Sequence, residues 1–515
     1  MIRRRAFVLI LVLVVVMLLS LGAYSFTELM LTHEESAQLG GRQLQTRLLV
    51  DSGVEHLKTV LMQDEATRTD AGGIYDNPDT LRGVVVIPDD DPNFRGSFSV
   101  MSPAMDDEGN LGGLRHGLED ESTRLNLNTL ISAENSIPNS GRTLLSALPG
   151  MTDEIADSIL DWLDEDDEPR ELGCEMSYYS GLSPAYGPKN GPLETVEELL
   201  LVRGVTPQLL FGKDTNRNGM IDQHEMAPSG DGTTAASAGE NAVAAERGWS
   251  AYLTLFSLES NLTATREARV YLNDTDIQRL YDNLSATLPA DWVTFIIAYR
   301  QNGAYTGQLA AQTGASGTLD LSKQGQSTIA TVLDLIGAKT QVRFSGATQS
   351  VVLASPFSSE IGAMNVYLPK LMDAVTVNKS VTVPGRINLN QASATILNGI
   401  PGITPEIVSE IISRRDLDST EERPNRKHET WIMAEGIVTL QEMKTLLPFL
   451  TGGGEVFRAQ VVGYYQGGQA ASRSEVIIDT TTATPRIVFW RDISHLGRGY
   501  ALETLGVDFS EDSSK

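Results

Sequence analysis

The chain begins with Met1-Ile2-Arg3-Arg4-Arg5 and continues with residues 6–27, AFVLILVLVVVMLLSLGAYSFT, in which no side chain is charged. As a helix these 22 residues would rise about 33 Å, enough to cross the hydrocarbon core of a bilayer. Three arginines before the stretch and Glu28 after it predict a cytoplasmic amino terminus and an exported remainder.

The helical pattern continues beyond this stretch, with no proline before Pro78. An apolar face with four-three-four spacing is formed by Val50, Val54, Leu57 and Leu61. A cleaved secretory signal peptide is the alternative, although its apolar region spans only about 7–15 residues. The sequence favours one long helix, and we expect the face at residues 50–61 to pack against partner subunits.

The composition indicates a large, acidic protein of several domains. Its 515 residues are 41% hydrophobic and have a net charge of −27. Such a charge repels phosphate backbones, so no nucleic acid is expected as a partner, whereas divalent cations suit it. Cys174 is the only cysteine, which excludes an intramolecular disulfide.

An internal repeat follows the first part of the chain. Residues 124–128, RLNLN, reappear at 386–390 as RINLN. Each copy is followed by a Pro-Gly turn, LPGMT at 148–152 and IPGIT at 400–404, and then by an apolar-periodic helix. The pattern predicts two helix-hairpin-helix-like units in which Thr152 and Thr404 cap the second helices. For Asn128 and Asn390 we expect a structural role, hydrogen bonding to the backbone.

The remaining segments differ in character. Residues 84–87 and 94–100 are candidate strands, and residues 229–241 have the composition of a linker. Residues 247–379 mix strand and helix signals, among them the β-branched and aromatic run at 292–297. Residues 457–490 alternate apolar and polar side chains around the turn at 466–468, which predicts antiparallel strands.

A twelve-residue stretch from Asp214 to Glu225 matches an EF-type calcium loop, with Gly219 at the sharp turn. The expected oxygen ligands are Asp214, Asn216, Asn218, the Met220 carbonyl, Asp222 and Glu225. An ordinary Asn-Gly surface turn is the alternative. The acidic residues 164–175 could hold a second ion, but the pattern favours a solvated acidic face.

The sequence contains no Ser-His-Asp arrangement, phosphate loop, zinc spacing or paired catalytic carboxylates. We therefore assign no catalytic residue and do not expect an enzyme.

The amino terminus resembles a prepilin-peptidase site, with cleavage between Ala6 and Phe7. Pilins of this class have a glutamate as fifth mature residue, and the matching position here is Leu11. An unpaired carboxylate in lipid is costly, so its absence suits a subunit without a neighbour on one side. The resemblance is to the K-type minor pseudopilin of type II secretion systems, in which this glutamate is missing. It also implies methylation of the new amino terminus and calcium binding.

The order of segments along the chain is similar to the order found in that family. Its markers here are residues 126–128, 161–164, 173–175, 178–179 and 197–199. The resemblance implies an α+β fold: a long pilin-type helix, an antiparallel sheet, two helix-hairpin-helix-like units inserted or appended, and carboxy-terminal strands. The expected division is a leader at 1–6, a transmembrane part at 7–27 and an exported stem at 28–63, then a first β region at 64–124, a helical insertion at 125–228, a linker at 229–246, a mixed segment at 247–380, a second helical unit at 381–450 and a β region at 451–515.

The function implied by the resemblance is that of a tip subunit of the pseudopilus in protein secretion across the outer membrane. The implied partners are the I-type and J-type pseudopilins, the major pseudopilin, the prepilin peptidase, and inner-membrane lipid around residues 7–27, with the bulk of the chain in the periplasm. The rival is a membrane-anchored helix-hairpin-helix DNA receptor of a competence system. Against it, residues 143–168 contain no Lys or Arg and many acids.

Overall fold

The computed structural model describes residues 2–223, 225–226, 247–312, 317–417 and 424–507, and its longest element is the helix α1, Ile2–Leu61. Its 60 residues extend about 90 Å. Large apolar side chains from Val8 to Leu31 are 47–70% exposed. By length and composition this helix can cross a membrane, which is consistent with the single-pass anchor predicted from the sequence.

The other helices are short. They are α2 (Glu65–Asp70), α3 (Pro78–Leu81), α4 (Leu130–Ser136), α5 (Ser140–Ser146), α6 (Asp153–Leu163), α7 (Met176–Tyr179), α8 (Pro207–Phe211), α9 (Ile277–Thr287), α10 (Ala290–Asn302), α11 (Ile361–Ala374), α12 (Ala394–Leu397), α13 (Pro405–Arg414), α14 (Trp431–Ala434) and α15 (Leu440–Leu446). Thr152 and Thr404 accept hydrogen bonds from the N–H groups of Ile155 (3.3 Å) and Ile407 (3.5 Å), so both predicted caps are confirmed.

The strands, in chain order, are β1 (Val84–Ile87), β2 (Gly96–Met105), β3 (Leu111–Arg115), β4 (Glu119–Asp120), β5 (Leu125–Asn126), β6 (Leu253–Thr254), β7 (Leu258–Ser260), β8 (Val270–Tyr271), β9 (Lys339–Val342), β10 (Val351–Ala354), β11 (Val375–Thr376), β12 (Thr382–Pro384), β13 (Ile387–Asn388), β14 (Leu450–Thr451), β15 (Val456–Tyr465), β16 (Ala471–Asp479) and β17 (Arg486–Asp492). The predicted strands at 84–87 and 457–490 are confirmed. The predicted strand at 94–100 begins two residues later, at Gly96.

A seven-stranded antiparallel sheet has the order β1-β2-β15-β16-β17, with β3 paired to β2 and β4 paired to β15. The central pair joins distant parts of the chain, because Val100 lies opposite Val461. Everything between β4 and β15 is therefore an insertion into one sheet. This is the predicted α+β architecture of a sheet interrupted by helical units.

The second half of α1 lies on this sheet. Val54 and Leu57 are 1% and 0% exposed and belong to one core with Val100 and Val461 of the sheet. Gly463 permits the close approach, since a Cβ there would lie 2.3 Å from the carbonyl oxygen of Thr46 on the helix. The stem is thus fixed to the body of its own subunit.

The inserted part shares one apolar core. Leu127 of the first helical unit, Ile297 of α10 and Ile411 of α13 are all fully buried members of it. The run at 292–297 lies in α10 rather than in a strand. Its β-branched residues favour strands only weakly, and Asp291 in the first turn together with burial on several sides favours the helix. The predicted linker at 229–241 lies outside the described residues.

Candidate functional site

The predicted processing site lies at the start of α1, whose helical backbone includes both Ala6 and Phe7. Leu11, at the position where pilins of this class have glutamate, is 55% exposed among exposed apolar neighbours. The cleavage itself stays a prediction.

The predicted packing face of the stem is not available to partners. Val50, Val54, Leu57 and Leu61 are at most 3% exposed, because they pack on the sheet of their own chain. The prediction that this face binds other subunits is therefore wrong. The outward face presents Leu44 and Leu48 instead, 61% and 56% exposed.

The oxygens of the predicted calcium loop are oriented by backbone N–H groups of the loop itself. The Asp214 carboxylate accepts hydrogen bonds from the N–H groups of Asn218 (3.0 Å) and Gly219 (2.9 Å). Asn216 Oδ1 accepts from the N–H of Asn218 at 2.9 Å, and Asn218 Oδ1 from that of Met220 at 2.8 Å. Gly219 has a φ of +80°, the left-handed turn that the loop pattern requires of glycine.

The two carboxylates at the end of the loop close the same network. Asp222 Oδ2 accepts from the side-chain amides of Asn216 (2.7 Å) and Asn218 (3.0 Å). Glu225 accepts from the N–H groups of Thr215 (2.9 Å) and Asp222 (3.0 Å). Five of the six predicted ligands are thus brought together through their side chains, and Met220 takes part through its N–H.

The donor set fits a hard cation such as calcium. An oxygen that accepts one N–H keeps a second lone pair, and Ca²⁺ takes six to eight oxygen ligands that include amides and carbonyls. Within the described ranges, no group of three or more His, Cys, Asp and Glu side chains is placed to hold a metal ion. A cation here would therefore depend on the asparagine and backbone oxygens as well as on the acids.

Burial raises the pKa of Asp214, and the nearby Glu225 acts in the same direction, against hydrogen bonds from Gly219 and Asn218. Burial also acts to raise the pKa of Glu225, but hydrogen bonds led by that from Asp222 outweigh it and leave the pKa lowered. The loop therefore holds one carboxylate whose charge is poorly compensated, which a bound cation would relieve.

The loop is also bound to the sheet. Gln460 on β15 donates to the carbonyl of Arg217 at 2.6 Å, and the Tyr500 hydroxyl donates to the carbonyl of Asn218 at 3.2 Å. The side-chain amide of Asn218 donates in turn to the carbonyl of Gly499 at 2.7 Å. The loop thus joins the end of the helical unit to the central strand and to the carboxy-terminal segment.

The acidic run divides into two parts. Residues 165–168 are exposed, as expected for a solvated face, but Asp164 and Glu175 are buried at 8% and 2% exposure, which the sequence did not predict. Arg170 pairs with Asp164 and, at 2.7 Å, with the fully buried Asp161. Burial and the neighbouring acids, Asp161 first, raise the pKa of Glu175 to about 7. The local composition gave no signal for this burial, because it depends on how the following residues fold back over α6.

The asparagines of the repeat support the backbone, as predicted. Asn128 donates to the carbonyl of Leu193 at 3.0 Å and accepts from its N–H at 2.7 Å. Asn390 donates to the carbonyls of Arg426 (2.7 Å) and Gly452 (2.8 Å). Both side chains therefore tie the start of a helical unit to a later segment.

A long helix, apolar enough in its first half to cross a membrane, has its second half on an antiparallel sheet with helical units inserted into that sheet. This is the pilin-type α+β architecture predicted from the sequence. Residues 123–211 match the family model of type II secretion system (T2SS), protein K. Residues 123–211 therefore form a domain similar to protein K of type II secretion systems.

Two curated relatives agree with this assignment. The chain is 40% identical over 111 residues to type II secretion system protein K of Pseudomonas aeruginosa, a match covering 20% of this chain and 32% of the relative. It is 40% identical over 60 residues to a putative type II secretion system protein K of Escherichia coli, covering 12% and 18%. The chain thus spans about a third or less of the length of the curated relatives it matches.

One solved structure also matches the chain, with lower sequence identity than the curated relatives. It is the crystal structure of the GspK-GspI-GspJ complex from the type 2 secretion system of enterotoxigenic Escherichia coli. The match has 12% identity and a TM-score of 0.37, and covers 89% of this chain and 99% of that one. At this similarity it adds nothing to the assignment made on residues 123–211.

Proposed function

We propose that this protein is a minor pseudopilin at the tip of the type II secretion pseudopilus and takes part in protein secretion across the outer membrane. The observation that carries the proposal is the protein K domain at residues 123–211, inserted in the sheet on which the membrane-length helix lies. The acidic composition, with a net charge of −27, disfavours the competence DNA receptor.

The test measures protein secretion in a strain from which the chromosomal copy of this gene has been deleted. A plasmid that carries the wild-type gene should restore export of the secreted proteins to the medium. DNA uptake should be the same with and without the plasmid. Loss of DNA uptake with secretion intact would contradict the proposal and favour the receptor.

The proposed location is the inner membrane, with residues 7–27 in lipid and the remainder in the periplasm. The apolar, exposed first half of α1 supports this placement. A prepilin peptidase would cut after Ala6, and methylation of Phe7 would follow. Mass spectrometry of the membrane-extracted protein should find Phe7 as the first residue, whereas a soluble product starting near Tyr24 would contradict the processing.

The proposed partners are the I-type and J-type pseudopilins, followed by the major pseudopilin. Since the sheet covers the inner face of the stem, Leu44 and Leu48 are exposed apolar side chains opposite the sheet that a neighbouring helix can contact. Co-expressed I-type and J-type pseudopilins should co-purify with the wild type and be lost with the double variant L44D/L48D, whose unfolding should be unchanged.

Two controls make this partner test specific. Leu309→Asp introduces the same charge at another exposed leucine, 58% accessible, and should leave co-purification intact. Leu57→Asp places a charge in the core beneath the stem and should prevent folding rather than assembly alone. Undiminished co-purification with the double variant would exclude this face.

The loop at residues 214–225 is proposed to bind calcium as a structural ion. Its support is the set of side-chain oxygens ordered by loop N–H groups, with three carboxylates, Asp214, Asp222 and Glu225, against the two charges of the ion. The residues that would hold it are Asp214, Asn216, Asn218, Met220, Asp222 and Glu225. Since the loop is bound to β15 through Gln460, the ion would stabilise the junction between helical unit and sheet.

A further inference from the structure

A cleft of about 710 Å³ opens where the stem, the mixed segment and the second helical unit meet. Its walls come from α2, from the turn before β8, from the start of the second unit and from the segment that leads into β15. This volume lies in the range of about 300–1,000 Å³ that is typical of ligand sites. The cleft is remote in sequence from the loop at 214–225.

Most charged side chains on its walls are paired. Arg386 lies against Glu259 and Glu429, Lys427 pairs with Glu65 at 3.0 Å, and Arg266 lies 3.7 Å from Glu455. Such pairing is expected in a partly buried charged region, because an unpaired ion loses its hydration without compensation.

Two arginines of the cleft differ from these. Among the described residues, Arg68 on α2 and Arg269 before β8 have no side-chain hydrogen bond and no ion pair within 4 Å. Both are half-buried, and Nε of Arg269 is shielded from water without a partner. In a chain with 67 acidic residues against 40 basic ones, two unpaired arginines on one cavity are unexpected.

Both guanidinium groups are positively charged, because arginine stays protonated in proteins. Burial, with Arg269 next in importance, lowers the pKa of the neighbouring His428 to about 4, so this ring is neutral at pH 7 and does not compete for an anion. Burial lowers the pKa of Arg68, and the attraction of Glu65, Glu455 and Asp64 through space opposes this effect only in part, while Arg266 repels it.

We propose that this cleft binds an acidic polypeptide segment of another protein, with Arg68 and Arg269 receiving its carboxylates. A guanidinium is the side chain best shaped to hold a carboxylate by two parallel hydrogen bonds. The cleft also exposes acids such as Glu65 and Asp373, which would repel a polyanion such as a nucleic acid. A peptide with separated carboxylates avoids these acids and can use amide and backbone groups of the wall, such as those of Asn378 and Gly453.

The experiment measures calorimetric binding to the full chain in detergent micelles at low salt. The probe is the blocked peptide Ac-Gly-Glu-Gly-Asp-Gly-NH₂, compared with its neutral counterpart Ac-Gly-Gln-Gly-Asn-Gly-NH₂ and with inorganic phosphate. Variants are Arg68→Gln and Arg269→Gln, and the control is Arg279→Gln, an exposed arginine on α9 that pairs with Asp274.

The acidic peptide should bind the wild type and the control alike, and at least tenfold more weakly to each cleft variant. The neutral peptide should bind at least tenfold more weakly than the acidic one. Because neither arginine makes a side-chain hydrogen bond or an ion pair within 4 Å among the described residues, the thermal unfolding midpoints of both cleft variants should stay close to that of the wild type.

Three results would overturn the proposal. Equal binding of the two peptides would remove the role of the carboxylates. Phosphate binding of equal strength and equal dependence on both arginines would make the cleft a general oxyanion site. A clear fall of the unfolding midpoint in Arg68→Gln and Arg269→Gln would show that the arginines serve the fold instead.

Discussion

The two helical units of this protein start from the same sequence and end in different environments. In each, the motif arginine is held by a buried glutamate: Arg124 by Glu119 at 2.6 Å, and Arg386 by Glu429 at 3.4 Å. In each, a two-residue strand of the motif pairs in parallel with a later segment, β5 with β6 and β13 with β14. The shared residues thus build the same start in both copies.

The second helices of the two copies differ in what surrounds them. When Thr152 is aligned with Thr404, Asp157 and Asp161 of α6 correspond to Ser409 and Ser413 of α13. Both aspartates are fully buried, whereas both serines are exposed. Every residue of α6 from position 156 to 163 is buried, so other parts of the protein pack on all sides of this stretch of the helix.

The covering chain explains the charges. Residues 164–211 fold over α6 and supply Arg170 to Asp161, while Arg142 of α5 pairs with Asp157 at 2.6 Å. A buried carboxylate requires such a partner, and an exposed serine does not. The protein K match ends with this covering segment, at residue 211. The second helix of the first copy is thus charged and fully enclosed, whereas that of the second copy is partly exposed and carries serines at the corresponding positions.

The largest expected effect comes from exchanging the aligned residues. Asp161→Ser removes an acceptor from both the N–H and the guanidinium of Arg170, and should lower the free energy of unfolding by about 3 kcal/mol, since Asp164 retains part of the pairing. Ser413→Asp adds a charge at an exposed site and should stay within about 0.5 kcal/mol. Denaturant unfolding of both variants measures the contrast, and equal losses would show that the two helices are equally enclosed.

A second effect depends on pH and concerns Glu175, which has no counterpart in the other copy. Its pKa is raised to about 7 in the folded protein, whereas an unfolded glutamate titrates near 4.3. The folded state therefore binds the proton more tightly, and the associated stability is present below about pH 4 and is lost as the pH rises through about 7.

Glu175→Gln should accordingly raise the free energy of unfolding by about 2 kcal/mol at pH 7.5 and change it little at pH 4. Unfolding at the two pH values, with chelator present, measures this difference. Glu171→Gln, at an exposed position of the same run, serves as the control. A uniform effect across pH would mean that the carboxylate is compensated in the folded protein.

The sequence predicted elements well and their partners less well. The four-three-four spacing at residues 50–61 correctly predicted an apolar face. Periodicity shows that a helix has such a face, but it does not show which part of the protein packs against it. The cover is the chain's own sheet, including Val461, which is about 400 residues away. The same limit explains why the burial of Asp164 and Glu175 was not predicted. The composition around them is typical of a solvated run, and their burial depends on how later residues fold.

The loop at residues 214–225 and the cleft with Arg68 and Arg269 also differ in how far the sequence could predict them. The proposed calcium loop is local, since its proposed ligands lie within twelve residues, so the spacing of oxygens predicted a hydrogen-bonded network that the structure contains. Arg68 and Arg269 lie about 200 residues apart and belong to no motif. Only the folded chain brings them to one cleft, and no pattern in the sequence could have indicated it.

A smaller effect is expected from the loop that follows the first copy alone. Calcium at ten times its Kd should stabilise the folded state by about 1.4 kcal/mol. The gain should nearly vanish in Glu225→Gln and persist in Glu410→Gln, an exposed glutamate of α13. Magnesium should substitute poorly, because it prefers a tight octahedron. Identical thermal midpoints with calcium and with chelator, and no heat of binding, would leave the loop as an Asn-Gly turn.

The smallest effect tests what the two copies have in common. Thr152 and Thr404 each accept a hydrogen bond from the third residue of the helix they cap. Removing a threonine cap costs about 1 kcal/mol, so Thr152→Ala and Thr404→Ala should destabilise by similar amounts, and Thr→Ser at either site by much less. The caps sit at the exposed ends of α6 and α13, away from the ion pairs that distinguish the copies. Similar losses in denaturant unfolding would show that the hairpin turn contributes equally in both. A much larger loss at Thr152 would mean that residues 164–211 also pack on the turn before α6. The two copies would then already differ at their turns, and not only in the surroundings of their second helices.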